Sequence, residues 1–441
     1  MINLISIKSA LCSRGSRLRT LGRFAVDGAT MAAGNNSLSV RCRIDGREGL
    51  WSLKCYFRSK PRLREIYGEA YYPEELPVCS LSGRVDYVDV VVLHWVEGKP
   101  LDSFIGRRDS DYVSLSREFD ILALTTLDAE YAHGDVKPDN IIVGQNNMMT
   151  LIDHDALWRP EFGVTQPAEI GTLMYRHPSR DSGYFNKHID DYSFAVISTA
   201  LAALALDRET MECYVKDDGT LFDPALCVTH RDPALEVAKR IFLEHNDVAH
   251  YNIARGLHSI SPAIFGLRYC LYYAVFPFKL AVINETQYAR STEYGWGYVR
   301  GDEWIVPPLF DRCSNVDGGV AIAKLGDKDF VLPVVSDDEM RVEHQLSNIA
   351  EPPTFTVYEP PIRTALPEPK PNKRYAKAGA SDNRGKLWCD AEEMLLAIYL
   401  FDGNGIASIA RQLARSESAV RARILKLKLP MPKPKRRRRR R

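Results

Sequence analysis

The stretch His133-Gly134-Asp135-Val136-Lys137-Pro138-Asp139-Asn140 decides the fold, together with Leu151-Ile152-Asp153 shortly downstream. Transfer of a γ-phosphoryl group depends mainly on positioning. It needs a carboxylate to accept a hydroxyl proton, a cation on the phosphate, and oxygen ligands for magnesium. This stretch offers each of these groups and therefore predicts a phosphoryl-transfer site. The candidates are Asp135 as base, Lys137 as the phosphate contact, and Asn140 and Asp153 as ligands of Mg²⁺.

The segment between Asn140 and Asp153 predicts a hairpin. Ile141-Ile142-Val143 and Met149-Thr150-Leu151-Ile152 are short apolar runs around the turn-forming Gly144-Gln145-Asn146-Asn147. A hairpin returns the chain to its starting point. We therefore expect both metal ligands to face one cavity.

The His-x-Asp-x-Lys-Pro-x-Asn pattern resembles the catalytic loop of the eukaryotic-like (Hanks-type) serine/threonine protein kinases. Gly171-Thr172-Leu173-Met174-Tyr175-Arg176-His177-Pro178 resembles the end of their activation segment, and Asp190-Asp191-Tyr192-Ser193-Phe194-Ala195-Val196-Ile197 resembles the start of a buried central helix. The resemblance implies an α+β, bilobal protein-kinase-like fold that uses ATP and Mg²⁺ and a serine or threonine acceptor on a protein. It implies structural roles for His133, Thr172 and Asp190, the last bracing the catalytic loop.

Upstream residues extend the resemblance to nucleotide binding. Trp51-Ser52-Leu53-Lys54 resembles the strand that carries the ATP-binding lysine, and its alternation is typical of a strand. The next helix offers Glu65, or Glu69 one turn later, as the carboxylate partner of Lys54. The implied ATP-binding residues are Lys54, Glu65, Leu93 as gatekeeper, His94 and Val96 through their backbone, and Gly34 in the phosphate loop.

Four departures from the family pattern keep a second interpretation open. The segment from Gly28 to Ser37 holds two glycines and no Gly-x-Gly-x-x-Gly. Gly134 stands where many kinases carry arginine, so switching by loop phosphorylation is not expected. The other two departures are His154-Asp155 in place of Phe-Gly and Ser179 in place of a glutamate. None removes a charge that the chemistry requires, but the alternative is a catalytically inactive, nucleotide-sensing DNA-binding regulator. Lys137 argues against a third class, the aminoglycoside-type or choline-type small-molecule kinases.

Composition bounds the class of protein. The chain has 441 residues, 45% hydrophobic and 26% charged, which is typical of a soluble globular protein with more than one domain. The nine cysteines form no Cys-x-x-Cys pair, which favours reduced thiols. No apolar run is long enough to span a bilayer, so we expect no membrane partner and a cytoplasmic location, with nucleoid association as an option. Residues 1–26 are basic and are interpreted as an unpacked extension, with a targeting presequence as the alternative.

Residues 276–338 form a further candidate unit. Gly295-Trp296-Gly297-Tyr298 with Val306-Pro307-Pro308-Leu309-Phe310-Asp311 resembles a bacterial Trp-Gly repeat. Further strands are predicted over 318–324 and 329–332. Protein recognition and a small β unit packed on the large lobe remain equal alternatives. Seven prolines between Glu351 and Lys377 then predict an extended linker.

Residues 383–430 predict three helices. Asp390 caps the first, over 391–401, whose apolar stripe is Met394, Leu395, Ile398 and Tyr399. The second covers 406–414. Ser416 caps the third, over 417–428, which directs Val420, Ile424 and Leu427 inward. With Trp388 as a core residue, the module resembles a Myb/SANT or sigma-type helix-turn-helix.

Charge favours DNA as the partner of this module. Residues 383–441 carry a net charge of +11, whereas the whole chain carries +1, and Arg436 to Arg441 form a polybasic end. Ser418 and Arg421 would contact base edges, and Arg423, Lys426 and Lys428 would contact phosphates. A protein-binding bundle with a solvated basic face is the alternative.

These observations predict an ATP-dependent serine/threonine protein kinase that phosphorylates a nucleic-acid-associated protein. The expected organisation is an extension over 1–26, a small lobe over 27–97, a large lobe over 98–275, a Trp-Gly-like unit over 276–338, a linker over 339–382, a helix-turn-helix over 383–430, and a polybasic tail over 431–441.

Overall fold

The computed structural model describes residues 4–13, 16–34, 36–58, 60–79, 84–162, 169–284, 286–335, 396, 406–413 and 415–426. Helices and strands are both abundant, as the α+β prediction expects. The chain divides into two units, residues 1–337 and residues 338–441, and each is described by itself.

The first part of unit 1 is a six-stranded antiparallel sheet with the order β1-β2-β3-β4-β6-β5. Its strands are β1 (Arg17–Leu18), β2 (Gly22–Ala33), β3 (Ser37–Ile44), β4 (Trp51–Tyr56), β5 (Tyr71–Cys79) and β6 (Val85–His94). Helix α1 (Leu4–Cys12) precedes the sheet, and the short helix α2 (Leu63–Tyr67) lies between β4 and β5. The strand predicted to carry Lys54 is therefore confirmed as β4.

The expectation of an unpacked extension over 1–26 is wrong for residues 4–12, 17–18 and 22–26, which form α1, β1 and the start of β2. Ile7 and Leu11 are spaced by one helical turn, so they share a face of α1. Both are buried in the core of the sheet, together with Leu18 of β1. Leu4 and Ala10 also pack against this core, and a short apolar stripe in a basic segment did not predict the packing.

The second part of unit 1 is mainly helical. Its elements are β7 (Lys99–Pro100), α3 (Tyr112–Asp128), β8 (Ile141–Val143), β9 (Met149–Leu151), α4 (Asp191–Leu206), α5 (Arg208–Glu212), α6 (Pro224–Val228), α7 (Pro233–Glu244), α8 (Val248–Gly256) and α9 (Leu267–Val275). Helix α4 is buried from Asp191 to Leu204, as predicted for a central helix. Strands β8 and β9 pair antiparallel, Ile141 opposite Leu151, which confirms the predicted hairpin.

Two small antiparallel sheets complete unit 1. They comprise β10 (Tyr288–Ser291), β11 (Trp296–Arg300) and β12 (Glu303–Phe310), then β13 (Arg312–Cys313), β14 (Val320–Leu325) and β15 (Lys328–Pro333). Tyr298, Phe310 and Leu325 are buried in the same hydrophobic core as the helices. The Lys328 Nζ donates to the Leu243 carbonyl of α7 at 2.5 Å. These contacts favour the packed β unit over a separate recognition module.

Unit 2 contains helices α10 (Ile406–Gln412) and α11 (Glu417–Lys426) in the described residues. The Ser416 hydroxyl accepts from the Ala419 amide at 3.2 Å, which is the predicted cap. The predicted inward residues Val420 and Ile424 are buried, and Leu396, which the predicted stripe omitted, is buried with them. Several predictions concern residues outside the described part of the chain. These are the four stripe residues, Trp388, Leu427, Lys428, the linker 339–382 and the tail 431–441.

No helix in the described part of the chain is long and apolar enough to cross a membrane. Each of the eight cysteines in that part is a free thiol, which agrees with the prediction from their spacing.

Candidate active site

The backbone at His133 and Gly134 is held by Asp190, which is 1% exposed and directly precedes α4. Its carboxylate accepts from the amide of His133 at 2.5 Å and from that of Gly134 at 2.9 Å. Burial raises the pKa of Asp190, while His133, Arg180 and the two amides act in the opposite direction. The bracing contact that the sequence resemblance implied for Asp190 is therefore present.

Gly134 has a positional role that the sequence did not reveal. Its φ of 88° lies in the left-handed region, and a Cβ atom there would lie 2.2 Å from the carbonyl oxygen of Ala156. The Gly134 carbonyl accepts from Arg180 Nη2 at 2.8 Å. Glycine therefore stands here because the backbone leaves no room for a side chain.

Asp135 lies at the centre of a compact hydrogen-bonded group. Its Oδ1 accepts from the Thr172 amide at 2.7 Å and from the Thr172 hydroxyl at 2.8 Å. Its Oδ2 accepts from Asn140 Nδ2 at 3.3 Å and lies 3.6 Å from Lys137 Nζ. The structure thus brings together both predicted catalytic residues, one predicted metal ligand, and Thr172.

One side-chain hydrogen bond and one backbone hydrogen bond join this loop to Ile152, the residue before Asp153. His133 Nε2 lies 2.9 Å from the Ile152 carbonyl oxygen, and the Ile152 amide donates to the Asn140 carbonyl at 2.9 Å. The loop containing Asp135 and the residue before Asp153 are therefore neighbours.

The donor set fits a magnesium ion. The amide nitrogen of Asn140 donates to Asp135, so its Oδ1 is the atom that would ligate a cation. The Asp153 side chain is 42% exposed and offers a carboxylate. Mg²⁺ usually takes one or two protein oxygens plus substrate phosphates and water, which matches a pair of this kind.

Lys54, on β4, is 7% exposed and contacts two carboxylates. Its Nζ lies 2.5 Å from Asp153 Oδ1 and 2.8 Å from Asp155 Oδ1. The predicted pairing with Glu65 is wrong. Glu65 lies in the first turn of the five-residue helix α2 and pairs with Arg62, three residues earlier, at 2.9 Å. A local cation therefore holds Glu65, whose side chain is 56% exposed.

Asp155 is the buried acid that the sequence analysis did not assign. Its carboxylate accepts from Lys60 Nζ at 2.7 Å, from the Tyr56 hydroxyl at 2.8 Å and from the Tyr67 hydroxyl at 2.7 Å. Burial acts to raise the pKa of Asp155, but Lys54 and Lys60 outweigh it, and the pKa lies below its ordinary value. The available signal was an acid at the position of an expected glycine.

Lys60 continues the network beyond Asp155. Its Nζ lies 2.8 Å from Glu169 Oε1, which also accepts from Asn36 Nδ2 at 2.9 Å. Asn36 directly precedes β3, and Glu169 lies three residues before Thr172. The turn between β2 and β3 is thereby linked to the segment that contacts Asp135.

The other predicted nucleotide contacts lie on or next to β6 and in the β2–β3 turn of the first sheet. Leu93 pairs with Ser52, so it shares a sheet face with Lys54, and it is 36% exposed. The His94 ring stacks on Trp51 with centroids 4.1 Å apart, and Val96 is half-buried just beyond β6. Gly34 lies in the β2–β3 turn, where its amide donates to the Ser37 carbonyl at 2.9 Å. Adenine contact at Leu93, His94 and Val96 stays a prediction.

In unit 2, most of the predicted DNA-binding residues lie on α11. Ser418, Arg421 and Lys426 are exposed, and Arg423 is half-buried. Arg421 Nη2 lies 3.6 Å from Glu417 Oε2 in a solvated pair. Lys428 lies outside the described residues.

Comparison with models of known protein families finds no match, and comparison with curated protein sequences finds none. Residue chemistry and site geometry therefore carry the functional assignment.

Proposed function

We propose that this chain is an ATP-dependent serine/threonine protein kinase with a bilobal protein-kinase-like fold. One observation carries the proposal. Asp135 lies within reach of both Lys137 and Asn140, and the adjoining strand delivers Asp153 to Lys54. A base, two amines and two oxygen ligands are the groups that phosphoryl transfer requires.

In this proposal, Asp135 orients the acceptor hydroxyl and takes its proton as the oxygen attacks the γ-phosphorus. The bond from that phosphorus to the bridging oxygen breaks, and ADP leaves. Thr172 holds Asp135 Oδ1 through two hydrogen bonds, which fixes the direction of Oδ2. Lys137 contacts the transferring group, and Lys54 contacts the α- and β-phosphates. Mg²⁺ held by Asn140 and Asp153 would neutralise charge on the phosphates.

Phosphate transfer from labelled ATP to protein tests the proposal. The full chain is compared with Asp135→Asn, which keeps the shape of the side chain and removes its basicity. Loss of a general base typically lowers rates by about 10²- to 10⁴-fold, so we expect a loss of that order. Equal labelling of both proteins, or of neither, contradicts the proposal. Turnover that rises with a metabolite but not with a protein acceptor indicates a small-molecule kinase.

A nucleotide-sensing regulator without catalysis is the second candidate. Two observations favour it. Glu65 pairs with Arg62 instead of Lys54, and the loop around Gly34 contains only two glycines. This candidate predicts that Mg-ATP binds with no phosphate transfer. Equilibrium binding of Mg-ATP, measured beside the transfer assay, separates the two candidates.

We propose further that unit 2 binds DNA and brings the kinase to a nucleic-acid-associated substrate. Exposed Arg421 and Lys426 on α11, with the basic composition of residues 383–441, support this role. Tethering to DNA would raise the local concentration of a DNA-bound acceptor.

Truncation before Lys377 tests this role. We expect a large loss of DNA affinity and of its salt dependence, with ATP turnover retained, because each neutralised phosphate contributes about 0.9 to the salt slope. In the full chain, Arg421→Ala should weaken DNA binding, whereas Arg290→Ala, in β10 of unit 1, should not. Unchanged DNA retention after truncation would favour a protein-binding bundle.

A further inference from the structure

A buried carboxylate two residues beyond the candidate metal ligand has no part in the mechanism given above. Asp155 lies in a short turn of 3-10 helix, and its side chain is 5% exposed. It contacts two ammonium groups and two phenolic hydroxyls, so it is fully committed to donors that come from outside its own segment. A buried carboxylate with this many donors can fix the positions of the two lysines that contact it.

We propose that Asp155 is the positioning residue for Lys54 in phosphoryl transfer, in place of the helix carboxylate. This inference rests on the proposed kinase activity and adds the residue that sets the geometry of its ATP-binding lysine. The 2.8 Å contact from Lys54 Nζ to Asp155 Oδ1 carries it. Glu65 is held by Arg62 and faces solvent, so it does not compete.

Metal binding makes this contact more important. Lys54 has two carboxylate partners, and Asp153 is the one expected to turn to Mg²⁺. Asp155 then remains as the partner that keeps Lys54 in place. The two acids are separated by one residue, so a single turn of chain sets both the lysine and the metal ligand.

Electrostatics favour an ionised Asp155 in this role. Lys60, 12% exposed, supplies a second positive charge at 2.7 Å, and the Tyr56 and Tyr67 hydroxyls supply neutral donors. Hydrogen bonds to the charged form of a carboxylate stabilise that form. Helix α2 therefore contributes a hydroxyl, from Tyr67, where the sequence pattern predicts a charge.

The test compares Asp155→Asn with Glu65→Gln in the full chain. Both changes remove one negative charge and keep the shape of the side chain, but only Asp155 contacts Lys54. We measure kcat, KM for Mg-ATP and KM for the protein acceptor. Misplacement of a substrate-contacting group by about 1 Å costs on the order of 10²-fold.

We expect Asp155→Asn to lower kcat/KM for Mg-ATP by about 10²-fold with the acceptor KM unchanged, and Glu65→Gln to change it less than about twofold. A purely structural role would alter the acceptor KM as well. Wild-type kinetics in a folded Asp155→Asn variant would overturn the proposal. So would a larger loss in Glu65→Gln.

Tyr67→Phe keeps the test decisive if Asp155→Asn fails to fold. It removes one donor at 2.7 Å from Asp155 without changing charge. We expect a several-fold fall in kcat/KM for Mg-ATP. Tyr71→Phe is the matched control, because its hydroxyl donates to Asp89 instead. Equal kinetics in the two tyrosine variants would overturn the proposal.

Mg-ATP affinity separates failure of this inference from failure of the kinase assignment. If the wild-type chain binds Mg-ATP without transferring phosphate, the kinase assignment fails. Weaker binding in Asp155→Asn than in Glu65→Gln would then still support the positioning role, and equal binding would refute it. A wild-type chain that neither binds nor transfers refutes both.

Discussion

The two halves of the candidate site are positioned by different forces. The half around Asp135 is held by hydrogen bonds from backbone amides. The amides of His133 and Gly134 donate to the Asp190 carboxylate, and the Thr172 amide donates to Asp135. The half around Lys54 is held by charged side chains, in a chain that runs from Asp153 to Glu169 through two lysines and Asp155. Hydrogen bonds from backbone amides thus set the geometry around Asp135, whereas ion pairs set the position of Lys54.

The largest expected loss of stability comes from a change in the half around Asp135, which backbone hydrogen bonds hold in place. Gly134→Ala forces a Cβ atom against the Ala156 carbonyl at a φ of 88°, so the loop must move. Left-handed strain and overpacking together suggest a loss of about 4 kcal/mol in the free energy of unfolding, measured by urea denaturation. Gly219→Ala is the matched control. It has a φ of 78° and open space around the Cβ position, and should cost about 1 kcal/mol. Equal losses would show that the close approach is unimportant.

The next largest loss of stability is expected from a change in the half around Lys54, which ion pairs hold in place. Lys60→Gln leaves Asp155 and Glu169 without a shared cation in a site where the Lys60 side chain is 12% exposed. Removing one partner of a buried pair typically costs about 3 kcal/mol. Arg19→Gln removes a cation from an exposed pair with Glu74 in the same sheet, and should cost less than about 1 kcal/mol. Denaturant unfolding of both variants checks the difference, and similar values would contradict the burial argument.

Sequence contiguity explains what could be predicted of this site. The β8–β9 hairpin follows from two apolar runs around a turn, and the buried helix α4 is what the resemblance of one contiguous motif implies. Both are confirmed. Contacts of Asp155 with Lys54 and Lys60 join residues about a hundred positions apart, and no local pattern encodes them. The resemblance implies Glu65 because it places the partner of Lys54 on the next helix, and that pattern takes no account of the nearer cation at Arg62.

A third prediction concerns pH at the junction of the two halves. The His154 ring packs against His133 with centroids 4.9 Å apart. Burial, and then the charge of His133, lower the pKa of His154 to about 4. The unfolded chain, with a histidine pKa of about 6.5, binds the proton more readily. The stability contribution is therefore complete above pH 6.5 and falls as the pH decreases toward 4, by about 3 kcal/mol. His154→Phe should flatten this part of the stability curve, and an unchanged slope would contradict the assignment.

The smallest expected change in stability comes from the Thr172 hydroxyl that contacts Asp135. Thr172→Ala removes the hydroxyl that donates at 2.8 Å but keeps the amide contact at 2.7 Å. One hydrogen bond to a carboxylate contributes about 1.5 kcal/mol, so the free energy of unfolding should fall by about that amount. The phosphate-transfer rate should fall less than in Asp135→Asn. Thr172→Ser restores the hydroxyl and should recover most of both. Failure of serine to recover them would show that the methyl group matters instead.

Non-local packing also explains what was missed in the fold. Helix α1 was not predicted because the sheet that covers its apolar face, chiefly Ile7 and Leu11, is formed by later residues. The β unit was identified from its Trp-Gly pattern, but a pattern cannot show which neighbour covers it. The short strands β10 and β13 carry too few residues for periodicity to be detected.

The core shared by helices α7 and α8 with the β unit bears on how this chain could have been assembled in evolution. Tyr251 fills the space beside Gly326, and Asn252 donates to the Leu309 carbonyl at 3.0 Å. A gene fragment ending after Val275 would encode helices with their apolar side uncovered. The helices and the β unit therefore depend on each other for the burial of that side.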